Sequence, residues 1–291
     1  MNNNRLNLIR IIFLTIMLLG LCNAVKIQTD KNYHNMRPFA MGIERYTFFK
    51  NKSYELLQEG GDYTLYKGDY NFGKDNLGEY IEFIVKYFNY GYEEDTKMDP
   101  PDTQKYYLSG NDHIFILYSD EGYFKAFSYE ELYTLLTGDY KASSVLVEKK
   151  NQSDLYSAGK LSDDYSLKEF WAEGVKGSGE GQNITISFKY PEFYEDGGDN
   201  VAVDIKGVII FNGVFKSEDL FKKNGRVKDI SIKFDEGTEK IKLPDTYVPQ
   251  IIFFKNTYNT KKAQITIDSV YKGSKWDDTC LTKVIFFGKF Y

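Results

Sequence analysis

Trp276 is followed directly by Asp277 and Asp278, and Trp171 stands two residues before Glu173, which leads into the glycine-rich run Gly177-Ser-Gly-Glu-Gly181. An indole beside carboxylates suits one kind of chemistry well. The flat ring covers the apolar C–H side of a sugar, and planar polar groups exchange hydrogen bonds with its hydroxyls. Two further clusters offer similar groups: Asn212 with Lys216, Ser217, Glu218 and Asp219, and the acidic stretch 190–199 with Tyr194, Glu195 and Asp196. Arg226, opening a strand after Asn224-Gly225, is a candidate too, although an arginine so placed more often orders a loop through backbone carbonyls. Trp276 carries the reading furthest, because Lys275, Asp277 and Asp278 surround it with charge that opposes burial of the whole ring.

Catalytic chemistry is harder to find. Cys280, between Thr279 and Leu281 and just before an apolar strand, reads as a buried thiol without the base a nucleophile needs. Asp163 and Asp164 are adjacent in an extended segment, so they point opposite ways and cannot flank a glycosidic bond. The acidic clusters at 93–95 and 99–102 flank Pro100-Pro101 and lack the ligand spacing of a calcium loop. No catalytic residue and no metal ligand is therefore expected, and the chain reads as a binder rather than an enzyme.

The elements that must position these residues are mainly strands. The 291-residue chain is rich in Tyr and Phe and poor in Pro, which suits sheet packing. Its net charge is −5; without residues 1–24, which hold two Arg and no acid, it is −7. That balance opposes nucleic acid as a partner. Residues 1–24 read as an export signal, with Arg5 and Arg10 ahead of the apolar run 11–21. Cys22-Asn-Ala24 fits a small-residue cleavage site, whereas residues 18–22 resemble a relaxed lipobox with Cys22 as the lipidated residue. The expectation is an exported bacterial envelope protein, either a lipoprotein or a periplasmic or secreted form.

Residues 25–45, including His34, show no sustained period and read as a linker. Residues 46–147 read as a small β-meander domain. Residues 79–90 are assigned to strand by their β-branched and aromatic density, although several apolar side chains also fall at helical spacing. One short helix is expected after Ser128, where Ser128 and Glu131 form a capping box, Leu132, Leu135 and Leu136 share a face, and Gly138 stands at the C-cap. A polar run at 148–154 marks a boundary. Beyond it come strands at 184–188, 201–211, 227–234, 239–243, 250–254, 263–270 and 284–287, an antiparallel sandwich pattern. The continuous apolar run 208–211 requires a strand buried on both faces. Ser217 is placed to cap one helical turn over 218–221, and Val227, out of phase with Ile230, implies a bulge.

Trp171-Ala-Glu-Gly with Gly177-Ser-Gly-Glu-Gly181, Phe211-Asn-Gly213, Lys216-Ser217, Asn224-Gly-Arg226-Val-Lys228 and Trp276-Asp-Asp-Thr-Cys-Leu281 together resemble the NADase-type glycan-binding domain. This is a discoidin-like, galactose-binding-like jelly-roll β-sandwich, and the resemblance covers roughly residues 152–291. It implies a glycan or glycoconjugate as partner, bound by the end loops of the sandwich; a surface protein is the alternative, and a role beside an NAD glycohydrolase a further one. It also implies that Trp171 packs against the sandwich; Asp278, from its place ahead of the last strand, reads as a cap on the turn there. The Asn-x-x-Asp-Gly-Asp type loop ahead of the tryptophan is reduced here to residues 165–170 without its aspartates, so no cofactor is assigned and a structural calcium is left open.

Overall fold

The computed structural model describes residues 27–36, 43–59, 63–91, 93–130, 132–148, 154–162, 165–191 and 200–290. Its first part is a closed antiparallel barrel of eight strands in sequence order: β1 (Lys31–Asn35), β2 (Ile43–Phe48), β3 (Ser53–Glu59), β4 (Tyr63–Asp75), β5 (Gly78–Tyr90), β6 (Thr96–Gly110), β7 (Ile114–Tyr118) and β8 (Phe124–Tyr129). β1 closes the barrel by pairing with β8, Tyr33 opposite Tyr129. Alternation fills the interior with rings, because Tyr33, Tyr46, Phe48, Tyr54, Tyr70, Phe83, Phe115 and Phe127 all point inward.

The second part is a β-sandwich. β9 (Thr134–Leu135), β10 (Gly138–Ala142), β11 (Trp171–Ala172) and β12 (Asn183–Phe188) lead to β13 (Val203–Asn212), then α1 (Glu218–Lys223) and β14 (Gly225–Lys233). β15 (Thr238–Lys242), β16 (Gln250–Thr260), β17 (Lys262–Tyr271) and β18 (Thr279–Phe290) complete it. Hydrogen-bonded order runs β10-β12-β17-β14-β18-β13-β16. β14 and β18 touch in parallel over only two residue pairs, Gly225 with Thr279 and Arg226 with Cys280, and this corner joins the two layers. The expected bulge is present: the β14–β17 register shifts on either side of Asp229.

The doubly buried run explains how the parts meet. Val208 and Ile210 of β13, with Val284 and Phe286 of β18, face the sandwich core. Ile209, Phe211, Ile285 and Phe287 face the other way and pack with Ile114, Ile116, Tyr118, Phe124 and Ala126 of the barrel wall. β7 is likewise buried on both sides, since Phe115 and Leu117 point into the barrel while its alternate residues meet the sandwich.

Three expectations change. The segment read as a linker contains β1 and the start of β2, and His34 pairs with Arg45 inside the sheet. The helix expected after Ser128 does not form: Ser128 ends up buried in β8, its Oγ accepts the Tyr133 N–H at 3.1 Å, and Leu135 pairs with Phe287 as β9. The hydroxyl caps a tight turn instead of a helix, and burial of Leu135 and Leu136 against the sandwich outweighs their helical preference. Finally, the sandwich begins before residue 152, because β10 forms its edge beside β12, with Gly138 opposite Phe188.

Phe211→Ala removes a ring held 4.9 Å from Phe124 and 5.1 Å from Phe215, and urea unfolding should show a loss of about 3–5 kcal/mol. A fragment starting at residue 152 lacks β9 and β10 and bares Ile209, Phe211, Ile285 and Phe287; gel filtration should show it self-associating where the longer chain does not.

Candidate functional site

Ser217 caps α1 as the sequence implies, its Oγ accepting the Leu220 N–H at 3.2 Å. Glu218 and Lys222, then Asp219 and Lys223, pair along the helix at 2.5 and 2.6 Å. The loop before β18 then docks on the end of α1, where the backbone N–H groups of Lys275 and Trp276 donate to the Lys223 carbonyl at 3.1 and 2.9 Å, and that of Ser274 to Lys222 at 3.0 Å. Gly273 is required at this docking, because a Cβ would lie 2.4 Å from the Lys223 oxygen. The result presents Trp276 at one end of the sandwich, 36% exposed, with the Lys275 ammonium 4.5 Å from its ring centre. Asp277 beside it is exposed. Burial, then repulsion from Asp277 and Glu148, pushes the Asp278 carboxyl above the usual range, while its backbone carbonyl accepts the Gly225 N–H at 2.9 Å.

The other candidates lie nearby but are used structurally. Trp171 is fully buried in the sandwich core, its Nε1 donating to the Ser144 carbonyl at 3.1 Å. Asn212 is buried and bridges β13 to β14, its Nδ2 donating to the Val227 carbonyl at 2.7 Å and its Oδ1 accepting the Val227 N–H at 2.9 Å. Arg226 makes a two-pronged bond to Asp245 at 2.9 and 2.8 Å, donates to the Asn224 carbonyl at 2.7 Å and lies over Phe221. It orders loops and is unavailable to a ligand. Glu218 is half-buried and engaged in its helical ion pair with Lys222. Tyr194 and Cys22 lie outside the described residues, as do Asp163 and Asp164.

Glu173 shows what the glycine-rich run is for. Its carboxylate is buried, Oε2 accepting the Val175 N–H at 2.7 Å and Oε1 having no partner among the described residues. Gly177, Gly179 and Gly181 all adopt positive φ, and a Cβ on Gly179 would lie 2.6 Å from Glu173 Cγ. The loop folds over the carboxylate, held by Thr279 Oγ1 donating to the Ser178 carbonyl at 2.8 Å. Burial, opposed by backbone hydrogen bonds, pushes the Glu173 carboxyl up. Burial also pushes the Cys280 thiol far above its usual range, which leaves it inert. Among the described residues no group of three or more His, Cys, Asp or Glu is arranged to hold a metal ion.

Residues 129–287 match the family described as the NAD glycohydrolase translocation F5/8 type C domain. The chain belongs to this family. The boundary agrees with the structure, in which the sandwich starts at β9 rather than at residue 152. No curated protein shows a significant sequence match. Among solved structures, the family 32 carbohydrate-binding module of Clostridium perfringens NanJ, in complex with galactose, overlays at 11% identity and TM-score 0.39, covering 53% of this chain and 98% of that one. The family 32 module of Streptococcus pneumoniae EndoD overlays at 8% identity and TM-score 0.39, over 54% and 100% of the two chains. The mycobacterial arabinofuranosyltransferase AftD gives 14% identity and TM-score 0.37, over 52% of this chain and 11% of the transferase. The F5/8 type C family placement accounts for the discoidin-like sandwich, and the barrel ahead of it lies outside the matched residues.

One hollow escaped the sequence reading. Tyr46, Tyr54, Gln58, Tyr66 and Gln104 help to line it, and Gln58 at its edge joins Asn35 and Lys125 on the Glu44 carboxylate; these residues come from strands distant in sequence, and no local motif marks them.

A carboxyl whose pKa is raised by folding binds its proton more readily folded than unfolded, so its stabilising protonation is complete below the unfolded value and is lost as pH rises through the folded one. Glu173→Gln, which stays neutral, should therefore gain in Tm relative to the parent chain as pH rises from about 4 to 8. Paired thermal melts check this, and a difference that stays flat would show that folding does not raise the Glu173 pKa.

Proposed function

We propose that this chain is an exported envelope protein that binds carbohydrate through the loop end of its sandwich, with Trp276 as the stacking surface. The observation that carries the reading is the half-open indole on a loop fixed to the end of α1, beside exposed Asp277, in a member of a discoidin-like family. The ring supplies apolar area, Asp277 accepts hydroxyl protons, and the flexible Lys275 side chain swings aside to uncover the indole face. Because Trp171, Asn212, Glu173 and Arg226 are committed inside the fold, they hold this loop end rigid rather than touching sugar. No catalytic step is assigned to the chain. Export rests on residues 1–24, and attachment to the envelope on acylation of Cys22.

A glycan-array screen of residues 25–291, with and without EDTA, tests the reading. Trp276→Ala should weaken the strongest hit about tenfold, the equivalent of ~1.4 kcal/mol, with an unchanged melting temperature. If the array is blank, a protein partner at the same surface becomes the better account; if the variant unfolds, the ring belongs to the core.

A further inference from the structure

We propose that the open mouth of the barrel is a second binding site, for an uncharged, hydroxyl-bearing small ligand of about the size of one sugar ring. The argument starts from alternation. The inward rows that carry Tyr33, Tyr46, Tyr54 and Phe127 through the barrel core continue, two residues further along each strand or two such steps, to Asn35, Glu44, Gln58 and Lys125. The other three converge on the Glu44 carboxylate. Asn35 Nδ2 donates to Glu44 Oε2 at 2.9 Å, while Gln58 Nε2 and Lys125 Nζ donate to Oε1 at 3.2 and 2.6 Å. Glu44 and Lys125 pair with each other, and no charged side chain among the described residues lines the smaller hollow beside them, so a charged ligand there would bring a charge with no partner.

A hollow of about 130 Å³ lies against this group, lined in part by Tyr46, Tyr54, Gln58, Tyr66 and Gln104. Across Gln104 it adjoins a wider hollow of about 470 Å³ that Tyr106, Ser119 and Lys125 help to line. Tyr46 and Tyr54 are only 4% and 2% exposed. Both rings are locked against Phe83, at 5.0 and 4.7 Å. Neither hydroxyl is hydrogen-bonded by a described residue, and burial raises both phenols' pKa, which keeps them protonated as donors. Rings held this deeply that still present their hydroxyls to one open hollow offer two fixed hydrogen-bonding groups to whatever fills it. Barrel mouths are a common setting for small-ligand sites. Tyrosine faces offer apolar contact, and the phenols and the amides of Gln58 and Gln104 offer donors and acceptors. A neutral polyol or sugar ring meets both demands.

The test uses residues 25–291 and four probes, galactose, glucose, N-acetylgalactosamine and myo-inositol, followed by saturation-transfer NMR and calorimetry. At least one should bind saturably, and Tyr46→Phe with Tyr54→Phe should weaken it at least tenfold, while Trp276→Ala leaves it unchanged. The double variant keeps both rings and, without ligand, should melt at or above the parent temperature, since it removes only unpaired hydroxyls. No saturable binding to any probe overturns the proposal. So does an unchanged affinity in the double variant, or a lower melting temperature, which would show that the hydroxyls already serve the fold. Binding that Trp276→Ala abolishes would assign the sugar to the sandwich end instead.

Discussion

The contact on which the rest of the molecule depends is a seam in which strands from two sheets are apolar on both faces. β13 and β18 each give one row of side chains to the sandwich core and the alternate row to the barrel wall, and β7 does the same from the barrel side. A strand normally presents one dry face and one wet face; here the wet face is replaced by another sheet. Backbone and polar links stitch the seam, including the Leu135 N–H donating to the Met36 carbonyl at 2.7 Å and Ser109 Oγ donating to the Pro249 carbonyl at 2.8 Å. Barrel and sandwich thus share apolar rows at the seam, and neither keeps its wall dry without the other.

Much of the sandwich was legible from local pattern. The unbroken run 208–211 required a doubly buried strand, Ser217 announced α1, and the phase slip at Val227 announced a bulge; each is a short-range signal that the structure repeats. The barrel was only half legible. Its strands were mostly readable, but closure is a pairing between β1 and β8, almost a hundred residues apart, and nothing within β1 itself distinguishes an edge that closes a barrel from a linker. The same non-local burial drew Leu135 and Leu136 away from the helix that the Ser128 and Glu131 capping pattern implies.

The candidate site divided along similar lines. Sequence showed which residues had suitable chemistry, while only packing shows which of them are spent. Asn212 looked like a sugar-binding amide and proves to be spent on both backbone groups of Val227, tying β13 to β14, two strands with β18 between them. Arg226 is consumed by Asp245 and two carbonyls, and Glu173 by its own glycine loop. Trp276 escapes because its loop rests on the outside of α1 through backbone contacts alone, which leaves the ring unneeded for packing. The cluster around Glu44 had no local signature at all, since its four members come from four segments that meet only when the barrel closes.

The shared seam also has a temporal side. A chain made from its N-terminus completes the last barrel strand at Tyr129, but the side chains that cover Ile114, Ile116 and Tyr118 arrive with Ile209 and Ile285. At roughly 5–20 residues per second of synthesis, the finished barrel waits on the order of ten seconds with an oily flank bare. During that interval the nascent chain is at its most adhesive, and a holdase that shields aromatic surface would matter more to its yield than any later step.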